Sequence, residues 1–519
     1  MLRLNFLELN DHPILQNLKF EFCQEDPYIT KDRELFSSII IGPNGTGKST
    51  VLKIIAEIFR EISLLKQNHD HNIKLGYRFR LRYSVDGNLF EIASSKLVGH
   101  KRGKEFQGYT FFLNNHRYPE NDTLIDKIRP FKGNEISISD LILPSCVLAS
   151  SLMLTDKFNA KSAGIYKYLG VRNENSPSST GTRTYVRKTV DNIVDGFRRK
   201  NFAQELNKLF DFLELDSNLT LSYIPRYRWA FYQKDISVEK LFDLFENKWK
   251  ELFRRRNSPL WGAQYFSSIK EDVRKLERIV EFLKSVHEKV FVGGNNRSLD
   301  YDVINQDLEL LNDYDMITEL RRLDILSYPE LNISKNNKPY SFITSSSGEA
   351  HIISDFIGIL SQIQHNSIIL IDEPEISLHP NWQIQYIDYL KKIFHDYPTA
   401  HFVIATHSHF LLSNVKQETS SAVALEKDNE NKINTRTIDF STFGWSPENI
   451  LYNVFRVSAT RNTYFEMDVQ KLLHLVSSNS KNREEMLSLI SKLNNYTLSN
   501  DDPLVSIIAK AQNYVENEI

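Results

Sequence analysis

The run Ile39-Ile40-Ile41-Gly42-Pro43-Asn44-Gly45-Thr46-Gly47-Lys48-Ser49-Thr50 constrains this chain more than any other stretch. An apolar β-branched segment feeds a GxxxxGKS loop, and Val51-Leu52-Lys53-Ile54-Ile55-Ala56 continues as an amphipathic helix pattern. Strand, glycine loop and helix in that order are the setting of a phosphate-binding P-loop. Gly42, Gly45 and Gly47 remove side chains, so that backbone N–H groups can converge on phosphate oxygens beside the positive end of the helix. In such a loop the Lys48 ammonium would hold the β- and γ-phosphates, and the Ser49 hydroxyl would offer a ligand to Mg2+. A glycine-rich turn followed by chance by Lys-Ser leaves the flanking strand and helix unexplained. ATP and Mg2+ are therefore the expected ligands, with Pro43, Asn44, Thr46 and Thr50 completing the loop.

At 519 residues the chain exceeds what a single core usually holds, so two or three structural units are expected. A formal net charge of −2 provides no global basic field for DNA, RNA or anionic lipid, and any nucleic-acid contact must be local. Two cysteines, Cys23 and Cys146, are too few for a disulfide framework or a Cys-based metal site. The first ten residues alternate like a strand, and no run of about 18 apolar residues occurs. The expectation is a cytoplasmic protein with no membrane partner.

Along the chain, 2–22 reads as two short strands, and 66–120 as an antiparallel sheet broken by Asp-Gly and Asn-containing turns. From 156 to 330 the pattern becomes mostly helical, after a Ser/Thr/Gly/Pro-rich loop at 173–184 and with one strand expected at 219–227. Arg198-Arg199-Lys200 and Arg254-Arg255-Arg256 are short basic runs there. They read either as a solvated helix face or as contacts to a phosphodiester backbone. Ser345-Ser346-Ser347-Gly348-Glu349 precedes a helix. A continuous apolar strand then ends in Asp372-Glu373-Pro374-Glu375, and a second one ends in Thr406-His407. Paired carboxylates closing a buried strand suit metal orientation and water activation better than a solvated surface. The reading divides the chain at 1–155, 156–330, 331–460 and 461–519, the last a helical tail.

Taken together, these pieces resemble the ABC-type ATPase head shared by SMC proteins, RecF-like repair ATPases and OLD-like ATPases. The resemblance covers about half of the chain. It implies an α/β head, a P-loop mixed sheet plus an antiparallel sheet, carrying a helical insertion and a helical tail. Residues 42–49 match Walker A, 345–349 the signature motif and 372–374 Walker B. Residues 377–380 fall at the D-loop, and His407 matches the switch histidine. The resemblance implies that Asp372 orients Mg2+ with Ser49, that Glu373 polarises the attacking water, and that His407 senses the γ-phosphate. It also implies that Ser346, Ser347, Gly348 and Glu349 complete the nucleotide site of a second head, so that two chains sandwich two ATPs.

The sequence also departs from that pattern. No glutamine stands where the Q-loop belongs, and 143–158 offers Ser150, Ser151, Thr155 and Asp156 instead. There is no long coiled coil, and no Glu followed by an Asp-x-Asp pair that would mark a TOPRIM nuclease. The tail, with Phe443-Gly444-Trp445-Ser446-Pro447 before it, looks like that of the stand-alone ATPases of Septu-type anti-phage systems. In those systems the ATPase is encoded beside an HNH-type nuclease. The resemblance thus implies an ATPase that pairs through its heads and regulates a separate nuclease. Two other readings stay open: a RecF-like DNA-binding repair ATPase, with nucleic acid as partner, and an ATP-gated scaffold for a toxin.

Overall fold

A computed structural model describes residues 1–23, 34–73, 75–101, 104–114, 134–172, 182–226, 235–248, 261–292, 298–305, 307–428, 430–456, 463–478, 482–496 and 503–517. They form two compact units, Met1–Phe443 and Gly444–Ile519.

The first unit opens with β1 (Leu2–His12), β2 (Gln16–Glu21), β3 (Phe36–Ile41) and α1 (Lys48–Gln67). There follow β4 (Arg78–Val85), β5 (Asn88–Lys101), β6 (Lys104–Asn114), β7 (Asn134–Ile136), β8 (Val147–Ser151) and β9 (Tyr166–Tyr168). Helices α2 (Thr182–Phe197) and α3 (Phe202–Phe212) lead to β10 (Leu219–Tyr223). Next come α4 (Val238–Asp243), α5 (Trp261–Ile269), α6 (Val273–Val292), β11 (Leu299–Asp302), α7 (Asp307–Arg322), β12 (Glu330–Lys335) and β13 (Lys338–Ser341). The unit closes with α8 (Ser347–Gln362), β14 (Ile368–Asp372), α9 (Pro380–Ile393), β15 (His401–Thr406), β16 (Ser420–Lys427) and β17 (Ile433–Ile438).

Among the described residues these strands make three sheets. A seven-stranded sheet has the order β17-β16-β3-β15-β14-β8-β9, with every neighbouring pair parallel except β16–β17. Its central strands β3, β14 and β15 are buried at every residue, as unbroken apolar runs require when both faces are covered. A six-stranded antiparallel sheet has the order β2-β1-β4-β5-β6-β7. Helix α1 shares one core with both sheets: Val51, Ile55 and Phe59 cluster with Leu4, Phe79 and Leu81 and with Leu370 and Val403. This is the expected α/β architecture with mixed sheets.

One buried histidine ties the two sheets together. The N–H of Leu4 donates to His401 Nδ1 at 2.8 Å, and His401 Nε2 lies 2.8 Å from Ser38 Oγ, which donates to the Phe22 carbonyl. Nδ1 is thus an acceptor, so the proton sits on Nε2 and the ring is neutral. Complete burial, reinforced by Arg3, holds its pKa well below the ordinary value.

The region between β9 and α8 mixes helices with a four-stranded sheet, β11-β10-β12-β13. The strand expected at 219–227 ends at Tyr223; the 173–181 loop and Arg254, Arg255 and Arg256 lie outside the described residues. Arg199 anchors this region to α8. Its guanidinium donates to the Leu360 carbonyl and to the Tyr397 hydroxyl, and lies 3.8 Å from Glu205. The phosphodiester alternative therefore does not hold for Arg199, whose charge is used inside the fold. Arg198 beside it is 65% exposed.

The second unit holds α10 (Pro447–Asn453), α11 (Thr463–Ser477), α12 (Arg483–Asn494) and α13 (Pro503–Asn517). Leu472, Met486, Ile490, Leu493, Ile508 and Val515 form its core. Among the described residues no helix is long and apolar enough to cross a membrane.

Candidate functional site

Parallel register brings separate pieces of the chain to one edge of the seven-stranded sheet. Ile41 pairs with Thr406, Asp372 with Ala405, and Asp372 again with Ser151. The ends of β3, β15, β14 and β8 therefore stand side by side at the carboxyl edge, where open α/β sheets hold ligands.

The loop after β3 is built for backbone donors. At φ 150° Gly42 needs a residue without a β-carbon, since one would stand 2.4 Å from the Leu425 carbonyl oxygen. The Thr46 hydroxyl donates to the Pro43 carbonyl at 2.8 Å and closes the turn, while Pro43, Asn44 and Gly45 are exposed. Gly47 caps α1 in a left-handed conformation without any side-chain acceptor, so the helix turns free N–H groups toward the loop. Lys48 donates to the Gly42 and Pro43 carbonyls at 2.8 and 3.2 Å. Burial lowers its pKa, opposed by Glu373, Glu375 and Asp372 around it.

Asp372 is 2% exposed, and among the described residues its Oδ1 has no hydrogen-bond partner. Burial pushes its carboxyl up to about 7; a hydrogen bond from Ser49 opposes this, and Glu373, Asp156 and Glu375 add repulsion. A buried carboxylate with one bare oxygen, joined to a hydroxyl at the mouth of a phosphate loop, fits the donor set of a hard divalent cation such as Mg2+. Ser49 and Asp372 are the residues that would hold it.

Glu373 adopts φ 51°, a left-handed conformation rare for a residue before proline, and its N–H donates to the Ala405 carbonyl at 2.8 Å. The turn aims its carboxylate at the same edge, 3.7 Å from Nδ1 of the half-exposed His407. Glu375 is 5% exposed and lies closer, with Oε1 3.1 Å from His407 Nδ1. The Thr406 hydroxyl donates to that oxygen at 2.6 Å, and the His407 N–H donates to it at 2.8 Å. Sequence reasoning gave Glu375 no role, although it stands two residues past Glu373 and the polar Thr406-His407 pair ends a neighbouring strand.

The 345–349 motif lies elsewhere. Ser346 caps α8, its Oγ accepting from the Glu349 N–H at 3.2 Å, and Ser346 and Ser347 are exposed. Gly348 is buried against Ser377 and Leu378. Among the described residues no hydrogen bond joins 346–349 to 42–50.

At 143–158, Ser151 ends β8 beside Asp372, and the Ser150 hydroxyl donates to the buried Asp355. Asp156 is committed to structure: Arg172 binds both its oxygens, and the Tyr168 hydroxyl donates to Oδ2 at 2.6 Å. It is thus no free replacement for a Q-loop ligand. Next to it, Lys157 donates to Thr50 Oγ1 at 2.8 Å. This basic neighbour of the P-loop carries no motif that sequence reasoning could use.

Residues 23–412 match the AAA ATPase domain family. The chain is 22% identical over 463 residues to a protein named retron Vc95 probable ATPase, from Vibrio cholerae serotype O1 biovar El Tor, covering 80% of this chain and 72% of that one. It is 26% identical over 147 residues to the Septu protein PtuA of Bacillus thuringiensis, covering 26% of this chain and 36% of that one. The SMC head domain of Thermotoga maritima aligns with a TM-score of 0.35 and 12% identity, covering 84% of this chain and all of that one.

Proposed function

This chain belongs to the AAA ATPase domain family and is an ATPase, and on that premise we propose that it works as a nucleotide-gated regulator of a separate nuclease in anti-phage defence. The observation that carries the nucleotide-dependent part of this reading is the gathering of Lys48, Ser49, Asp372, Glu373 and His407 at one carboxyl edge. The residues 42–50 bind the phosphates, Lys48 exchanging carbonyl partners for phosphate oxygens. Mg2+, when bound, draws charge from the phosphates and is held by Ser49 and Asp372. Glu373 orients and polarises a water, with His407 beside it at the same edge. The exposed Ser346 and Ser347 at the N-terminus of a 16-residue helix serve a second copy of the chain, so that ATP holds two heads together. The similarity to the retron and Septu relatives supports a role in defence; the HNH-type nuclease partner rests on the resemblance of the tail to Septu-type ATPases alone.

The Glu373→Gln variant tests this. It keeps shape but loses proton-accepting power, so it should bind ATP while turning over about 10²-fold more slowly. Light scattering should show it as a dimer with Mg-ATP and a monomer without. The wild-type chain alone should leave DNA uncut, and cleavage should need the separate nuclease. Unchanged turnover, a mass insensitive to ATP, or Mg2+-dependent cleavage by the isolated chain would each overturn the corresponding part.

A further inference from the structure

We propose that Glu375 is a positioning residue, which holds His407 in a single tautomer and fixes the end of β15 against the turn after β14. This rests on the reading of His407 as the histidine that faces the nucleotide. One carboxylate oxygen, Oε1, gathers the Thr406 hydroxyl, the His407 N–H and His407 Nδ1 within 2.6, 2.8 and 3.1 Å. All three groups belong to two consecutive residues, so the carboxylate clamps both the backbone and the ring of His407. Glu375 is buried while the imidazole it holds is 46% exposed, the arrangement of a support rather than of a surface pair.

The chemistry of the clamp sets the ring. An ionised carboxylate can only accept, so an imidazole nitrogen 3.1 Å from it is stable only with a proton there. Nδ1 then carries the hydrogen, and Nε2 presents its lone pair away from Glu375. Glu373 is the weaker competitor at 3.7 Å, which leaves its carboxylate available for water. Such orientation of a functional imidazole by a carboxylate on its other nitrogen is a recurrent device, and losing it typically costs 10- to 100-fold.

Among the described residues the buried Oε2 has no hydrogen-bond partner. An oxygen left bare in the interior is costly to keep, and apolar residues would serve packing better.

The test compares Glu375→Gln with wild type by nitrogen chemical shifts of 15N-histidine-labelled protein without nucleotide, the His407 signals being assigned by their loss in His407→Asn. Wild type should show the Nδ1–H form. Glu375→Gln should show a mixture of tautomers, because its amide can present a donor as well as an acceptor. Turnover should fall about 10- to 100-fold with the KM for ATP changed less than about threefold. The double variant Glu375→Gln/His407→Asn should be no slower than His407→Asn alone. Should Glu375→Gln fail to fold, Glu375→Asp keeps the charge but shortens the reach, and should loosen the ring in the same way. An unchanged tautomer, or additive losses in the double variant, would overturn the proposal. If His407→Asn itself turns over normally while the tautomer still depends on Glu375, the clamp stands and the reading of His407 at the nucleotide fails.

Discussion

Gly348 packs so tightly on Ser377 that a β-carbon built on it would stand 2.6 Å from the Ser377 carbonyl oxygen and 3.5 Å from Leu378 Cα. The glycine at the start of α8 is thus required by the segment after β14, whether or not its N–H ever meets a phosphate. The neighbouring Ser346 and Glu349 likewise have a local duty, closing the first turn of the helix.

Two substitutions separate these duties. Gly348→Ala keeps the N–H but forces Ser377 to move, and should cost about 1–3 kcal/mol of stability. Ser347→Ala, at an exposed position, should change stability by less than about 0.5 kcal/mol while weakening ATP-dependent pairing. Thermal unfolding and light scattering on both variants check this. A Gly348→Ala protein as stable as wild type would show that the turn yields easily.

Lys48 is the cation of the loop, already aimed inward by two carbonyls and surrounded by three carboxylates. Lys48→Ala should weaken binding of a fluorescent ATP analogue by about 10²-fold or more, because a charge-assisted contact to a polyanion is lost. Equilibrium titration measures it, and wild-type affinity in the variant would sink the assignment of the loop.

His401 makes stability depend on pH. Its folded pKa is depressed below the ordinary 6.5, so the unfolded chain binds the extra proton first as pH falls. Its contribution is complete above about pH 6.5 and is lost progressively below it, toward the folded pKa, by up to about 1.4 kcal/mol per pH unit. His401→Gln, which can accept and donate but cannot titrate in this range, should be less stable at pH 8 yet lose less on going to pH 5. Denaturation of both proteins at the two pH values reads the difference; equal losses would mean that the buried ring is not held neutral.

Neighbouring arginines should behave differently. Arg199→Ala removes the guanidinium that Leu360, Tyr397 and the buried Glu205 share, and should cost about 2–4 kcal/mol. Arg198→Ala, at an exposed site, should change stability by less than about 0.5 kcal/mol. If nucleic acid binds this face, its salt-dependent affinity should drop for Arg198→Ala. Stabilities that fall equally would contradict the division.

Much of the site was legible because its parts are local. A strand, a glycine loop and a helix start lie within about twenty residues, and steric and electrostatic demands on a phosphate loop act over that length. The same holds for an apolar strand ending in Asp372-Glu373. Sequence alone thus determined the residue types at the edge and the mixed character of the fold.

Tertiary structure decided which of these parts meet. That β15 stands between β3 and β14 follows from parallel pairing across hundreds of residues, and only this order delivers Thr406 and His407 to Glu375. Asp156 and Arg199 carry charges that any sequence reading can place near a ligand, yet Arg172 and Glu205 hold them in the scaffold. Gly348 reads as a phosphate donor in its motif and proves to be a contact surface as well. The reason is common to all four: a charge or a missing β-carbon is a local property, but its partner is chosen by long-range packing. Neither spacing nor composition encodes that directly.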